Sequence, residues 1–156
     1  MKTTEIFKNH TVLSFEVFPP KRTGSVETIY STLGELEKLH PDFISVTYGA
    51  GGSENCKATL EIASAVKNDY HIESVAHLPC VGLSRADVLS QISLFGKAGI
   101  ENILALRGDI PQGGECGSDF RYASELIAFI RERCDFNIIA ACYPEGHTES
   151  LSLIHI

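Results

Sequence analysis

The sequence predicts an α/β fold of the (β/α)8 or TIM-barrel type, represented by about five parallel strands and four helices, so that the barrel is not closed. Five short apolar segments begin near residues 12, 43, 73, 102 and 137, at intervals of 31, 30, 29 and 35 residues. Helical patterns lie between them, and polar side chains recur near the end of each segment. Strand–helix units of this length are typical of parallel sheets.

The predicted strands are continuous apolar runs rather than alternating ones. Such runs are typical of a parallel sheet that is covered on both faces. In chain order the strands read TVLSFEVF, FISVTYG, ESVAHLPC, NILALRGD and FNIIAACYP.

The helices are predicted from apolar residues that recur every three or four positions. The best-marked helix opens with a capping pattern, Ser84-x-x-Asp87, and Gly99 follows it at a position typical of a helix end. The four apolar stripes span Val26–Leu36, Lys57–Lys67, Val88–Phe95 and Ala123–Cys134, the second being the weakest.

Two observations favour a barrel over an open doubly wound sheet. The turn after the first strand reads PPKRTGS instead of G-x-G-x-x-G, and this stiff turn is unsuited to wrapping a pyrophosphate. The second observation is a set of polar residues near the strand ends: Glu16, Thr47, His77, Arg107 with Asp109, and Tyr143. Two positions earlier, on the same predicted faces, stand Ser14, Ser45, Val75, Ala105 and Ala141, four of which are small. The pattern predicts a ligand site at the upper rim of the barrel interior.

Each polar residue also has a structural explanation. Glu16 lies between two phenylalanines, so we expect a desolvated acid or base, with a structural ion pair as the alternative. Arg107 and Asp109 could pair with each other, and His77 taken alone is typical of a hydrogen-bonded core histidine. These residues are grouped as one site because all of them are predicted near the ends of their strands.

Composition excludes several classes of protein. Thirteen basic and twenty acidic residues give a net charge of −7 without a basic cluster, which disfavours binding to nucleic acid or a membrane surface. No apolar run approaches the roughly 18 residues of a membrane span, and the N-terminus has no signal-peptide pattern. We therefore expect a cytoplasmic protein.

Other site chemistries find little support. The five cysteines contain no C-x-x-C pair, and no His/Asp/Glu cluster has metal-ligand spacing, so no disulfide framework and no metal are expected. No lysine ends a strand, which disfavours Schiff-base chemistry. The glycine-rich segment 49–53 could bind an anion or be a flexible loop, and segment 108–118 is typical of a binding loop or lid.

Six motifs taken together resemble the N-terminal part of methylenetetrahydrofolate reductase. They are SFEVFPPK, ISVTYGAGG, AHLPC, ALRGD, RYAS and AACYPEGH, and they cover nearly all of residues 14–147 in the order of that family. The resemblance implies a barrel that binds FAD, takes electrons from NADH or NADPH, and reduces 5,10-methylenetetrahydrofolate to 5-methyltetrahydrofolate. It also implies that the full-length protein is a homo-oligomer.

The resemblance assigns roles residue by residue. Glu16 resembles the acid that protonates N10 of the folate, and Asp109 resembles the aspartate beside flavin and folate. The positions that resemble FAD contacts are Thr47, His77, Leu106, Arg107, Gly108, Asp109, Tyr122, Ala123, Tyr143 and His147.

We expect residues 1–150 to be the N-terminal portion of a single barrel domain. The last six residues, LSLIHI, interrupt the pattern and can be encoded by a transposon end used in sequencing libraries, so residues 151–156 are expected to be a non-native tail. Two alternative functions remain open, a non-redox pterin-binding barrel transferase and a non-catalytic truncated product. The fragment alone is expected to be inactive.

Overall fold

The computed structural model describes residues 1–8, 10–20, 26–48, 53–109, 119–142 and 146. The boundary expected at residue 150 and the segment 151–156 lie outside these residues. The strands are β1 Ser14–Val17, β2 Phe43–Val46, β3 Glu73–Pro79, β4 Asn102–Leu106 and β5 Asn137–Ala140. The helices are α1 Thr3–Ile6, α2 Val26–Glu37, α3 Ser53–Asn68, α4 Arg85–Lys97 and α5 Ala123–Arg131. The four predicted helices correspond to α2–α5, and α1 is an additional short one.

The five strands form one parallel sheet in the order β1-β2-β3-β4-β5, with β1 and β5 at its edges. Each connection between neighbouring strands contains one of the helices α2–α5. A doubly wound sheet reverses its strand order at a switch point, whereas consecutive strands of a barrel follow the chain. The observed order is therefore that of a barrel segment, as the sequence predicts.

One face of the sheet is apolar and packs beneath the helices, where it forms the core. Leu33 of α2, Val66 of α3, Phe95 of α4 and Leu126 of α5 are fully buried against it. The buried apolar strand residues of this outer face are Val17, Ile44, Val46, Ala76, Leu78, Ile103 and Ala105. Burial of this apolar area is the main stabilising contribution to the fold.

The opposite, inner face carries a polar row that crosses the whole sheet. The register pairs Glu16 with Ser45, Ser45 with Val75, Val75 with Asn102, and Asn102 with Asn137. Paired residues on parallel strands point to the same face, so these side chains lie on the face that corresponds to the interior of a closed barrel. Four of the five are polar, which is the asymmetry expected for a face that carries a site.

The N-terminal segment is bound to the lower part of this face through buried amides. Thr3 N donates to Asn102 Oδ1 over 2.8 Å, and Asn137 Nδ2 donates to Thr3 Oγ1 over 2.7 Å. Asn137 Nδ2 also donates to Asn102 Oδ1, and Asn102 Nδ2 donates to the carbonyls of Met1 and Ser74. Because Thr3, Asn102 and Asn137 are all buried, these bonds tie α1 to the starts of β4 and β5.

Helix α4 has the ends that the sequence predicts. Ser84 Oγ accepts from Asp87 N over 3.1 Å, and Asp87 Oδ2 accepts from Ser84 N over 2.9 Å. Gly99 follows the helix with φ of +77°, in the left-handed conformation typical of a helix terminator. The capping box is therefore confirmed at one end and the glycine stop at the other.

Candidate functional site

Glu16 is more exposed than the sequence predicts. Its side chain is 47% exposed, although it lies between two phenylalanines in the chain. The expectation of a desolvated carboxyl is wrong for this structure because β1 is an edge strand of the described sheet, with a neighbour on one side only. Its position on the inner face is as predicted.

One oxygen of the Glu16 carboxyl is approached by two buried side chains. Ser45 Oγ donates to Glu16 Oε2 over 3.4 Å, and His77 Nε2 lies 3.4 Å from the same oxygen. Strands β2 and β3 hold these two residues, which are 7% and 8% exposed. The structure therefore brings Glu16 and His77 together, as the sequence predicts, and adds Ser45 to them.

The imidazole of His77 is buried from solvent. Burial lowers the pKa of His77 below its usual value, and the nearby Glu16 carboxylate offsets part of that effect. The ring is therefore neutral at pH 7, so its contact with Glu16 is not an ion pair. Among the described residues, His77 Nε2 forms no hydrogen bond of acceptable geometry.

Thr47 follows directly after β2, two positions beyond Ser45 on the same strand path. Its backbone N–H donates to Val17 O over 3.0 Å, and its carbonyl accepts from Thr59 Oγ1 over 3.0 Å. These bonds connect the end of β2 to β1 and to α3. The position of Thr47 at the upper end of the sheet is therefore set by backbone contacts on both sides.

The predicted face of Ala105 is wrong, and Arg107 lies beyond the end of β4. The sequence spacing of 30 residues aligned His77 with Arg107, but the register pairs His77 with Leu104. Ala105 pairs with Leu78 and is fully buried in the core on the outer face. Strands of a barrel are staggered, so equal spacing along the chain does not give equal height in the sheet.

Arg107 and its neighbours form the first turn after β4. The carbonyl of Arg107 accepts from the N–H groups of Cys80 and Val81 over 3.2 and 2.8 Å. Arg107 Nε donates to Gly108 O over 3.2 Å, and Leu106, half-buried at the strand end, pairs with Pro79. The loops after β3 and β4 are thus joined at the top of the sheet.

Gly108 needs to be glycine for two reasons, and Gly34 for neither. Gly108 has φ of +83°, and a Cβ there would lie 3.0 Å from Pro79 Cβ. Gly34 lies inside α2, and a Cβ there would meet nothing within 4 Å.

We expect Gly108→Ala to lower the free energy of unfolding by about 2 kcal/mol. We expect Gly34→Ala to raise it by about 0.5–1 kcal/mol. Urea denaturation of both variants measures this, and shifts of the same sign would contradict it.

Asp109 directly follows Gly108, and Tyr122 and Ala123 stand at the start of α5. Asp109 and Tyr122 are exposed, and Ala123 is the half-buried first residue of α5. The Glu125 carboxylate accepts from Tyr122 N over 3.2 Å, and the Arg121 guanidinium lies 5.2 Å from the Tyr122 ring centroid. The start of α5 therefore presents an ordered, exposed aromatic ring.

Two predicted site residues, Tyr143 and His147, lie outside the described residues. The same holds for most of the glycine-rich segment 49–53 and for residues 110–118. Their predicted roles stay predictions.

Ser45 is a residue of the candidate site that the sequence pattern predicts only as one of the small residues beneath the polar set. The sequence does contain a signal for Ser45. Ser45 carries the one hydroxyl within the apolar run FISV, two positions before Thr47 on the same face. A polar side chain in a strand buried on both sides needs a partner, and here the partner is Glu16.

Three further features concern metal ligands, thiols and long apolar helices in the described part of the chain. Within it, no group of three or more His, Cys, Asp or Glu residues could hold a metal ion. Cys134 and Cys142 are free cysteines, and burial raises the pKa of the Cys80 thiol to about 11, so this thiol is protonated at pH 7. No helix among the described residues is long and apolar enough to cross a membrane.

Comparison with known proteins identifies the family. The family model of methylenetetrahydrofolate reductase matches residues 2–155. The chain belongs to the methylenetetrahydrofolate reductase family. The family resemblance inferred from the six motifs is thereby confirmed.

Three relatives illustrate the extent of the similarity. The 5,10-methylenetetrahydrofolate reductase of Pectobacterium carotovorum is 39% identical over 140 residues, which is 90% of this chain and 46% of that protein. The Escherichia coli reductase is 36% identical over the same shares of each chain. An Arabidopsis thaliana protein, methylenetetrahydrofolate reductase (NADH) 1, is 36% identical over 91% of this chain and 25% of its own length. The chain spans about half the length of the bacterial relatives it matches.

Proposed function

We propose that this chain provides the first five strands and the four helices that connect them in an FAD-dependent reductase that converts 5,10-methylenetetrahydrofolate to 5-methyltetrahydrofolate with NADH or NADPH. The observation that carries the proposal is an acidic side chain, Glu16, on the inner face of the sheet beside a buried neutral imidazole, His77. Family membership and the printed names of the relatives supply the reaction. The same family likeness supports a homo-oligomeric, cytoplasmic full-length protein.

The described residues fit a bound flavin at the upper end of the sheet. His77 Nε2 is buried and has no hydrogen-bond partner among them, and such an orphaned nitrogen is stabilised by a polar atom of a ligand or water. Exposed Tyr122 and Asp109 add an aromatic surface and a negative charge. When bound, FAD supplies the two-electron carrier between nicotinamide and folate. The residues proposed to hold it are Thr47, His77, Leu106, Arg107, Gly108, Asp109, Tyr122, Ala123, Tyr143 and His147.

Glu16 and Asp109 would have separate roles in the reduction of the folate. Glu16 holds a proton at its carboxyl and delivers it to N10 of the folate, which opens the five-membered ring and leaves a cationic folate. A positioned acid of this kind contributes about 10²–10⁴-fold to a rate. The carboxyl group of Asp109 would stabilise the cation by charge attraction, which is strongest where the site excludes water.

The test uses a chimaera in which the matched part of the Pectobacterium reductase is replaced by this chain. We expect a yellow protein whose flavin absorbance bleaches with NADH or NADPH and returns on addition of 5,10-methylenetetrahydrofolate. A colourless, folded chimaera would contradict the proposal and favour a non-redox pterin-binding barrel. The donor that bleaches the flavin faster also establishes the nicotinamide preference.

The 156-residue chain alone is the matched control. We expect it to retain little flavin, because the five described strands form an open sheet and so supply only part of a barrel wall. Retention of one FAD per chain after gel filtration would contradict this expectation. The comparison separates the contribution of these five strands and four connecting helices from that of the rest of the barrel.

A further inference from the structure

Glu16 Oε2 is held between side chains from two neighbouring strands. Ser45, its register partner on β2, donates to this oxygen over 3.4 Å, and His77 on β3 places Nε2 at the same distance from it. Both neighbours are more than nine-tenths buried, whereas Glu16 itself is exposed. The two buried partners can therefore orient the exposed carboxyl.

Packing alone does not explain why a polar residue, Ser45, stands at this buried position. Its neighbours in β2, Ile44 and Val46, are fully buried in the core on the outer face, and Ser45 is the buried residue between them on the inner face. Ser74 provides a contrast, because its hydroxyl is also buried but has no hydrogen-bond partner among the described residues. A buried hydroxyl is stabilised when it is paired, and Ser45 is paired with the carboxyl of Glu16.

We propose that Ser45 is a positioning residue for Glu16, an inference that rests on the proposed function of Glu16 as an acid. The Ser45 hydroxyl donates a hydrogen bond to Oε2, so Oε2 acts as the acceptor. The acidic proton of Glu16 is therefore carried by Oε1. His77 packs against Oε2 and restricts rotation of the carboxyl group. When the proton leaves Oε1 for the substrate nitrogen, the Ser45 O–H stabilises the carboxylate that forms.

The first arm of the test asks about the contact itself, in the 156-residue chain. The carboxyl carbons of the glutamates are labelled with ¹³C, and Glu16→Gln identifies the resonance of Glu16. We expect Ser45→Ala to move this resonance, Ser45→Thr to leave it near its original position, and the control Ser74→Ala to have no effect. A Glu16 resonance that does not respond to Ser45→Ala would overturn the proposal.

The second arm asks about catalysis, in the chimaera described above. We expect Ser45→Ala to slow reoxidation of the flavin by methylenetetrahydrofolate about 10-fold, the effect of one lost hydrogen bond to a charged group, while reduction by NADH is unchanged. Ser45→Thr should restore the rate, and Ser74→Ala should not alter it. Equal loss in both half-reactions, or no loss in either, would overturn the proposal. A parent chimaera without flavin contradicts the proposed function, and the catalytic role of Ser45 then fails with it.

Discussion

Glu16→Gln is expected to slow the reduction of methylenetetrahydrofolate by about 10²–10⁴-fold in the chimaera while the flavin is still reduced by NADH at the normal rate. Glutamine has nearly the same shape and still accepts a hydrogen bond from Ser45, but it has no acidic proton. The loss should therefore appear only in the half-reaction that requires protonation of the folate. Stopped-flow absorbance of the flavin measures the two half-reactions separately.

Glu35→Gln is the matched control for this experiment. Glu35 lies on α2 with an exposed side chain and forms an ion pair with Lys38, on the helical side of the sheet. We expect both half-reactions to be unchanged in this variant. If Glu16→Gln slows both half-reactions equally, Glu16 has a structural role, and the assignment as the proton donor is wrong.

Asn102→Ala is expected to lower the free energy of unfolding by about 3 kcal/mol. Asn102 is fully buried at the start of β4, where its side chain accepts from Thr3 N and Asn137 Nδ2 and donates to two carbonyls. Alanine removes these bonds and leaves a buried N–H without a partner, which costs more than the loss of an exposed hydrogen bond. Urea denaturation of the chain measures the change.

Asn68→Ala is the corresponding control at the surface. Asn68 donates to Ala98 O over 3.0 Å and to Ser64 Oγ over 3.1 Å, but its side chain is exposed. Water can replace these partners, so we expect a loss below about 1 kcal/mol. Equal losses in the two variants would contradict the view that burial of the Asn102 amide is what makes it important.

Local sequence patterns predicted much of the fold. The apolar runs gave the five strands in order, and three-to-four-residue periodicity gave α2–α5, because both depend on residues that are neighbours in the chain. The ends of α4 were predicted for the same reason, since Ser84 and Asp87 contact each other within one turn. Helix α1 was missed because its four residues are too short for a periodic signal.

The candidate site was predicted less completely. Glu16 and His77 lie on the predicted inner face, but Ala105, predicted on that face from the 30-residue spacing of His77 and Arg107, lies on the outer one. The stagger between β3 and β4 pairs His77 with Leu104 instead, and a shift of an odd number of residues reverses the face. No local pattern in either strand reports this offset.

The sequence by itself determined the order of the strand–helix units, the polar character of one sheet face and the family to which the chain is related. These properties are carried by residue types at short spacing, so they can be read before the chain is folded. Only the tertiary structure decided the register of β4, the exposure of Glu16 on an edge strand and the contact of Ser45 with its carboxyl. These properties depend on the relative height of strands whose residues lie 27 to 35 positions apart in the chain, and packing of the whole sheet sets that height.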